Sequence, residues 1–240
     1  MPLIFIKEEN TMYYICWDID GTLLLTNYAG VAAMKETIQD QYGLDHFEFT
    51  YGMAGRTDTY IARKAIEGIQ GHCTPDEVTA MLSAYGKKLP ASLVEKHGHL
   101  LPHVKETLAY FDQAPDCTSV LLTGNCEPAA HAKLSYFGID QYFDYDLSAF
   151  GEISELRDDL SRALLQKLQK KDPGVTPDQL LVIGDTPHDI TCAQAVGVRS
   201  LIVQKGSSYA RDRLEAFHPW KIIPELPARP EALRAIVEEV

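Results

Sequence analysis

The chain of 240 residues is long enough for one domain with a smaller insert, and its hydrophobic fraction of 45% supplies a core of ordinary size. Acidic residues outnumber basic ones by 34 to 22, and the resulting net charge of −12 argues against a nucleic-acid or anionic-membrane surface. No apolar run is long enough to span a membrane, and the apolar stretch at residues 3–6 is too short for a secretory signal. Because the five cysteines are scattered and lack the spacing of a zinc site, we expect free thiols. Free thiols and the lack of a recognisable signal lead us to expect a cytoplasmic protein.

Four short apolar runs predict buried parallel strands. They lie at residues 13–17, 118–122, 180–183 and 200–203, and each ends at a polar or glycine-rich segment. Between these runs apolar residues recur at helical spacing, as at Val104, Leu108 and Phe111. Strands and helices in alternation form crossover units, so the sequence predicts an α/β fold with a Rossmann-like parallel sheet core.

The segment between the first two predicted strands has a different pattern. It contains apolar stripes at helical spacing that begin at Val31 and Ile61, and a capping box at Thr74 with Pro75 at the first helical position. It contains no clear strand. We therefore predict an inserted α-helical cap domain at residues 26–101, with residues 1–25 and 102–240 forming the core and hinges near 26–29 and 98–103.

Polar side chains follow the predicted strands at the points where the strands end. Open parallel sheets bind their ligands at this edge. Carboxylates that converge there raise one another's pKa values unless a cation neutralises them, and oxygen donors of this kind suit Mg²⁺ with a substrate phosphate in its shell. A threonine and backbone amides before a helix suit phosphate oxygens. The residues concerned are Asp18, Asp20, Thr123, Asn125, Asp185 and Asp189.

Three motifs in this chain resemble those of the haloacid dehalogenase-like hydrolases. Residues 18–23 (DIDGTL) resemble the first motif of that family, residues 121–125 (LLTGN) the second and residues 184–189 (GDTPHD) the fourth. The resemblance covers nearly the whole chain, and the layout is most similar to phosphoglycolate phosphatase-like members with a helical cap. It implies a Mg²⁺-dependent phosphatase that acts on a small phosphorylated metabolite through an aspartyl-phosphate, either as a monomer or as a homodimer.

The resemblance also implies roles for the carboxylates. Asp18 would be the nucleophile that attacks phosphorus, and Asp20 the general acid that later activates water. The metal ion would be held by Asp18, Asp185, Asp189 and the backbone carbonyl of Asp20. Asp189 is also compatible with a solvent-facing position on the first turn of a helix.

Substrate binding is expected at the second motif and in the cap. The resemblance implies that Thr123 and the amide of Gly124 bind phosphate oxygens, with Asn125 close by. Cap loops of the family reach over the active site, so Arg56 in the segment 52–57 (GMAGRT) is a candidate contact for an anionic leaving group. A solvated loop arginine explains Arg56 equally well.

The third motif of the family, a lysine often followed by proline, is absent between Asn125 and Gly184. Arg157 is the best positional substitute, because a guanidinium is permanently charged and binds phosphate bidentately. Arg162 is the second choice. Two alternatives to a phosphatase remain open: a sugar phosphomutase of the same family, and a non-catalytic phosphate-binding regulatory protein, which only the missing lysine favours.

Overall fold

The computed structural model describes residues 11–239, so the apolar stretch at residues 3–6 lies outside the described residues. The strands are β1 (Tyr13–Trp17), β2 (Leu24–Leu25), β3 (His99–Leu100), β4 (Cys117–Leu121), β5 (Leu180–Gly184), β6 (Arg199–Val203) and β7 (Lys221–Ile223). The helices are α1 (Ala29–Tyr42), α2 (Asp58–Gln70), α3 (Pro75–Lys96), α4 (Val104–Asp112), α5 (Glu127–Tyr136), α6 (Arg157–Lys171), α7 (Pro187–Gln194), α8 (Arg211–Glu215) and α9 (Pro230–Val237). Within residues 11–239 no helix combines the length and the hydropathy needed to cross a bilayer.

Five strands form one parallel sheet in the order β4-β1-β5-β6-β7. Strand β1 lies between β4 and β5, and Trp17 at its end pairs with Leu121 of β4 on one side and with Ile183 of β5 on the other. The sheet confirms the predicted α/β class and the four predicted strands. Strand β7 was not predicted, because its three half-buried residues are too few to show a period.

Both faces of the sheet are covered by helices. Alternate residues of β1 point to opposite faces, so Ile15 and Trp17 belong to one hydrophobic cluster with α4, α5 and α9, while Tyr14 and Cys16 belong to another with α6 and α7. This three-layer arrangement buries the strands on both sides. It leaves the edge where the strands end as the place where polar loops gather.

Helices α1, α2 and α3 have a hydrophobic cluster of their own, which contains Met34, Ile66 and Met81. The capping box predicted at Thr74 forms, since the backbone N–H of Glu77 donates to the Thr74 hydroxyl and the backbone N–H of Thr74 donates to the Glu77 carboxylate. This helical layer rests on α5, whose first turn contributes to the same cluster. The cap boundaries at residues 26 and 101 stay a prediction.

The two segments that connect the helical layer to the sheet run side by side. Leu24 pairs with Leu100, and Leu25 pairs with His99, in a short antiparallel ladder that the sequence analysis missed because each strand has two residues. Next to this ladder the Asn27 side chain donates hydrogen bonds to the backbone carbonyls of Lys96 and His97. The entry and the exit of the helical layer are therefore tied to each other.

Candidate active site

The parallel register brings the predicted strand-end residues together. Asp18 directly follows β1, Asp185 directly follows β5, and Thr123 comes two residues after β4. Because β1 lies between the other two strands, all three residues reach the same edge of the sheet. Each of them is buried.

Three carboxylates form a compact cluster at this edge. Oxygens of Asp18, Asp185 and Asp189 lie within 4.8 Å of one another. Gly21 closes over the cluster with a φ of 85°, and a Cβ at this position would overlap the Asp185 carboxylate, so both the backbone conformation and the space require glycine. The Thr22 hydroxyl donates to the same carboxylate at 3.3 Å.

Asp189 holds the loop that follows β5. Its Oδ2 accepts hydrogen bonds from the backbone N–H of Asp185 at 3.1 Å, and from the backbone N–H and the hydroxyl of Thr186 at 2.9 and 2.7 Å. Its Oδ1 accepts from the Arg157 guanidinium at 2.5 Å. Asp189 is fully buried, not facing solvent, and it connects the fourth motif to Arg157.

Arg157 lies beside the predicted nucleophile. It is the first residue of α6 and is buried, with Nη2 3.0 Å from Oδ1 of Asp18 and 3.2 Å from the Leu122 carbonyl oxygen to which it donates. Its Nε is buried and donates to no acceptor among the described residues. The second choice, Arg162, instead pairs with Asp159 at an exposed position.

Burial and mutual repulsion perturb the ionisation of these groups. Burial raises the pKa of Asp18 to about 6, although Arg157 acts in the opposite direction. Burial, followed by Asp189 and Asp18, raises the pKa of Asp185. For Arg157 burial alone would lower the pKa, but Asp18 and Asp189 outweigh it and raise the pKa. The clustered carboxylates thus resist ionising together, which favours a bound cation.

Asp20 is held by a lysine that the sequence analysis missed. Nζ of Lys133 lies 2.5 Å from Oδ2 of Asp20 and donates to Oδ1 of Asn125 at 2.5 Å. The Asn125 amide in turn donates to Oδ2 of Asp20 and to the Thr123 hydroxyl, both at 2.9 Å. Burial alone would lower the pKa of Lys133, but Asp20 and Asp58 raise it.

A signal for Lys133 was present in the sequence. The stripe of α5 contains Ala130, Leu134 and Phe137, and Lys133 lies three residues after the first of these, on the same helical face. A lysine is almost never fully buried without a charged partner. A lysine in a predicted apolar stripe that follows the second motif therefore indicates a partner at the site.

The loop before α2 docks on the second motif. The backbone N–H of Asp58 donates to the Gly124 carbonyl at 2.7 Å, and the backbone N–H of Cys126 donates to Oδ2 of Asp58 at 2.9 Å. A Cβ on Gly124 would overlap the carbonyl oxygen of Arg56, so glycine is needed for this approach. Burial raises the pKa of Asp58 to about 6.

The helical layer and the sheet edge enclose a cavity of about 560 Å³. Asp18, Asp20, Gly124, Asn125 and Arg157 line it from the core, and Arg56 lines it from the cap side. The Arg56 guanidinium stacks 4.6 Å from the centre of the Tyr60 ring. The structure thus brings the predicted residues of both regions to a single cavity or to the carboxylate cluster at its base, except for Thr123, which is fully buried and does not line the cavity. The catalytic and binding roles of all these residues stay predictions.

The family model described as haloacid dehalogenase-like hydrolase matches residues 15–203. The chain belongs to this family. It is similar to pyrophosphatase PpaX of Halalkalibacterium halodurans, with 26% identity over 92% of this chain and 94% of that protein. It is also similar to phosphoglycolate phosphatase of Photobacterium profundum, with 26% identity over 85% of this chain and 89% of that protein.

Solved structures with low sequence identity have the same fold. A hydrolase from Pseudomonas syringae matches with a TM-score of 0.66 and 20% identity, over 95% of this chain and 99% of that chain. CbbY from Rhodobacter sphaeroides, solved in complex with phosphate, matches with a TM-score of 0.66 and 18% identity, over 89% of this chain and 94% of that chain. The predicted family and the predicted enzyme class, a phosphatase of this family, are confirmed.

Proposed function

We propose that this protein is a Mg²⁺-dependent phosphomonoester hydrolase that forms an aspartyl-phosphate on Asp18. The observation that carries the proposal is the Arg157 guanidinium, which contacts both Asp18 and Asp189 within the cluster of three carboxylates. A buried cation next to a strand-end carboxylate is suited to a dianionic phosphoryl group. The names of the phosphatase relatives support the same reaction class.

The donor set of the site fits Mg²⁺. Asp18, Asp185 and Asp189 offer oxygen atoms within one ion's reach, which is the ligand chemistry that Mg²⁺ prefers. We assign Asp18, Asp185 and the backbone carbonyl of Asp20 as the direct ligands of the ion. Asp189 would contribute to binding the ion through Oδ1, because its Oδ2 already accepts three hydrogen bonds. When bound, the ion supplies positive charge at the phosphoryl oxygens.

We propose that donors around Asp18 hold the phosphate group. The backbone N–H of Gly124 donates to no acceptor among the described residues, and neither does Nε of Arg157. The Thr123 hydroxyl accepts from Asn125, which leaves its own hydrogen for a phosphate oxygen. Gly124 and Arg157 line the cavity with Asp18, so we assign the phosphate oxygens to their two N–H groups and to the hydroxyl of Thr123, the neighbour of Gly124 in the chain.

Asp18 and Asp20 have different roles in the proposed reaction. An oxygen of Asp18 forms a bond to phosphorus as the bond from phosphorus to the alcohol oxygen breaks, and Asp20 gives the leaving alcohol a proton. Asp20 then takes a proton from water, whose oxygen attacks phosphorus and releases phosphate and free Asp18. Lys133 and Asn125 both contact Oδ2 of Asp20, which fixes this carboxylate and leaves Oδ1 for proton transfer.

The relatives support only a broad class of substrate for this protein. Their names specify a pyrophosphatase and phosphoglycolate phosphatases, so we infer a small phosphorylated molecule as the substrate. A phosphomutase shares the aspartyl-phosphate but returns the phosphoryl group to its substrate. Release of free phosphate in proportion to substrate consumed distinguishes the hydrolase from that alternative.

Phosphate release from 4-nitrophenyl phosphate tests the proposal. We expect turnover that needs Mg²⁺ and stops on chelation with EDTA, and a loss of about a thousandfold or more in kcat for Asp18→Asn. The matched control is Asp112→Asn, an exposed aspartate at the end of α4, which should keep the wild-type rate. Mass spectrometry of acid-quenched enzyme should find the phosphoryl group on the peptide that contains Asp18. Full turnover in EDTA would refute the metal, and full turnover by Asp18→Asn would refute the nucleophile.

A further inference from the structure

The cavity is larger than its catalytic end requires. Its volume of about 560 Å³ falls within the range of cavities that enclose drug-sized ligands, which is about 300–1,000 Å³. A phosphoryl group and a metal ion occupy only the end next to Asp18 and Asp185. The remaining volume lies under the helical layer and is available to the alcohol portion of a substrate.

Thr26, Asn27, Tyr28 and Tyr85 contribute polar atoms to the lining of the cavity, but one side of the remaining volume is an apolar wall. It is formed by Val31 and Met34 of α1, Phe49 and Met53 of the loop between α1 and α2, and Ile61 of α2. Four of these five side chains pack in or against the hydrophobic cluster of the helical layer; Val31 lines the cavity beside them. The wall is therefore held in place by the same packing that stabilises the three helices.

The loop carrying Phe49 is braced by an aromatic row. Phe49 packs edge to face with Phe47 at a centroid distance of 5.1 Å and with Tyr51 at 5.8 Å, and Tyr51 continues to Tyr60 at 6.2 Å. Aromatic pairs of this geometry stabilise a fixed arrangement. The apolar wall is thus preformed and does not need a ligand to assemble it.

The cap side of the cavity contributes one positive and one negative side chain. The charged cavity-lining residues from that side, within the described chain, are Arg56 and Asp58. Arg56 stacks on Tyr60, and Asp58 accepts a hydrogen bond from Cys126. On the core side Lys133 contacts Asp20, and Arg157 contacts the carboxylate cluster. This region therefore has no excess of positive charge for a second anionic group of the substrate.

From the apolar wall and the balanced charges we propose that the enzyme prefers phosphomonoesters of apolar alcohols, whose hydrocarbon portion lies against Val31, Met34, Phe49, Met53 and Ile61. This specificity rests on the proposed phosphatase function. Hydrocarbon buried against such a wall leaves water at a gain of about 0.8 kcal/mol per methylene, which corresponds to about fourfold in affinity. Dianionic leaving groups, as in pyrophosphate, would place charge against apolar side chains and next to Asp58.

A chain-length series tests the preference with the wild-type enzyme alone. We would measure kcat/KM for phosphate release from ethyl, butyl and hexyl phosphate in saturating Mg²⁺, with 2-phosphoglycolate and pyrophosphate alongside. We expect kcat/KM to rise by about fourfold per added methylene until the wall is covered, mainly through KM. We also expect hexyl phosphate to exceed both anionic substrates.

A variant of the wall locates the effect. Val31→Thr keeps the shape of the side chain and places a hydroxyl in the cavity. The ratio of kcat/KM for hexyl phosphate to kcat/KM for ethyl phosphate should therefore fall by about fivefold or more. The control is Val94→Thr on α3, where the side chain is 59% exposed and lies outside the cavity; its chain-length series should match the wild type.

The outcomes separate this specificity from the proposed function. If short and long esters are hydrolysed with equal kcat/KM, or if pyrophosphate or phosphoglycolate is the better substrate, the specificity is refuted and the phosphatase stands. If no phosphate is released from any of the esters or from 4-nitrophenyl phosphate, the phosphatase itself is refuted and the specificity with it. A chain-length rise that Val31→Thr leaves intact would refute the assignment to this wall.

Discussion

The core side and the cap side of the cavity differ in the kind of side chain that lines them. On the core side, charged residues at strand ends hold one another through short contacts, such as those of Arg157 with Asp18 and Asp189. On the cap side, neutral side chains such as Met34 and Phe49 contribute shape. In the proposed function the core side transfers the phosphoryl group, and in the proposed specificity the cap side distinguishes one alcohol from another. Each of the following changes alters one side of the cavity or the contact between the two sides.

After Asp18→Asn, the largest effect is expected from Arg157→Met. Loss of the guanidinium removes positive charge at the phosphoryl group and leaves Asp18 and Asp189 without their cation, so we expect kcat/KM to fall by about 10²–10³-fold. Arg157→Lys keeps the charge and should recover part of this loss. The measurement is phosphate release in saturating Mg²⁺, with folding checked by circular dichroism.

The matched control for this change is Arg162→Met. Arg162 lies on the same helix and pairs with Asp159 at an exposed position, so its removal should leave kcat/KM within about twofold of the wild type. Equal losses for the two arginines would mean that α6 contributes stability and not a catalytic cation.

Lys133→Met should have a smaller effect that depends on the leaving group. Without Lys133 the Oδ2 atom of Asp20 loses one of its two donors, so proton transfer to the leaving alcohol becomes less efficient. We expect kcat to fall by about 10–100-fold for an alkyl phosphate and by much less for 4-nitrophenyl phosphate, because nitrophenolate leaves without a proton.

Lys167→Met is the control for Lys133. Lys167 donates to the Ser148 carbonyl at 2.6 Å, outside the cavity, so its loss should change both substrates little and equally. If Lys133→Met reduces kcat by the same factor for both esters, Lys133 does not position the proton donor.

Gly124→Ala tests the docking between the two sides. The added methyl would overlap the Arg56 carbonyl oxygen and force the loop before α2 away from the second motif, where two hydrogen bonds hold it. We expect kcat/KM to fall by about tenfold, which corresponds to the loss of about one hydrogen bond. We also expect the backbone amides of residues 55–58 to exchange hydrogen faster. Gly52→Ala is the control, because Gly52 has open space around its Cβ position. Unchanged exchange in Gly124→Ala would contradict the docking.

The last change concerns the stability of the fold and its dependence on pH at Asp58, rather than catalysis. Burial raises its pKa from 3.8 to about 6, so between these pH values the unfolded chain loses this proton before the folded one, and stability falls as pH rises. Asp58→Asn keeps an acceptor for Cys126 but cannot ionise. Its stability relative to the wild type should therefore increase from pH 4 to pH 6, by about 3 kcal/mol or less. Urea unfolding at both pH values measures this.

Asp45→Asn, at an exposed loop position, should show no such pH dependence relative to the wild type. The stabilities of the wild type and of Asp58→Asn could instead change in parallel from pH 4 to pH 6. That result would show that Asp58 is already ionised in the folded protein.

Local patterns in the sequence were sufficient for the core and for most of its site. Buried parallel strands leave uninterrupted apolar runs, and the polar residues that end them, such as Asp18 and Asp185, are adjacent in the chain to those runs. The position of each residue relative to its strand therefore determines which edge of the sheet it reaches. Arg157 was instead identified through the resemblance to the family, as the substitute for the absent lysine of the third motif.

Tertiary structure decided what depends on contacts between distant segments. Lys133 meets Asp20 across 113 residues, and Asp58 meets Cys126 across 68. The helical stripe indicates that Lys133 has a charged partner, but no local pattern identifies that partner as Asp20. Strand β7 and the ladder between β2 and β3 are too short to have a period. The apolar wall needs side chains from two helices and a loop at once. Local periodicity encodes which face of an element is buried, but only packing determines what that face meets.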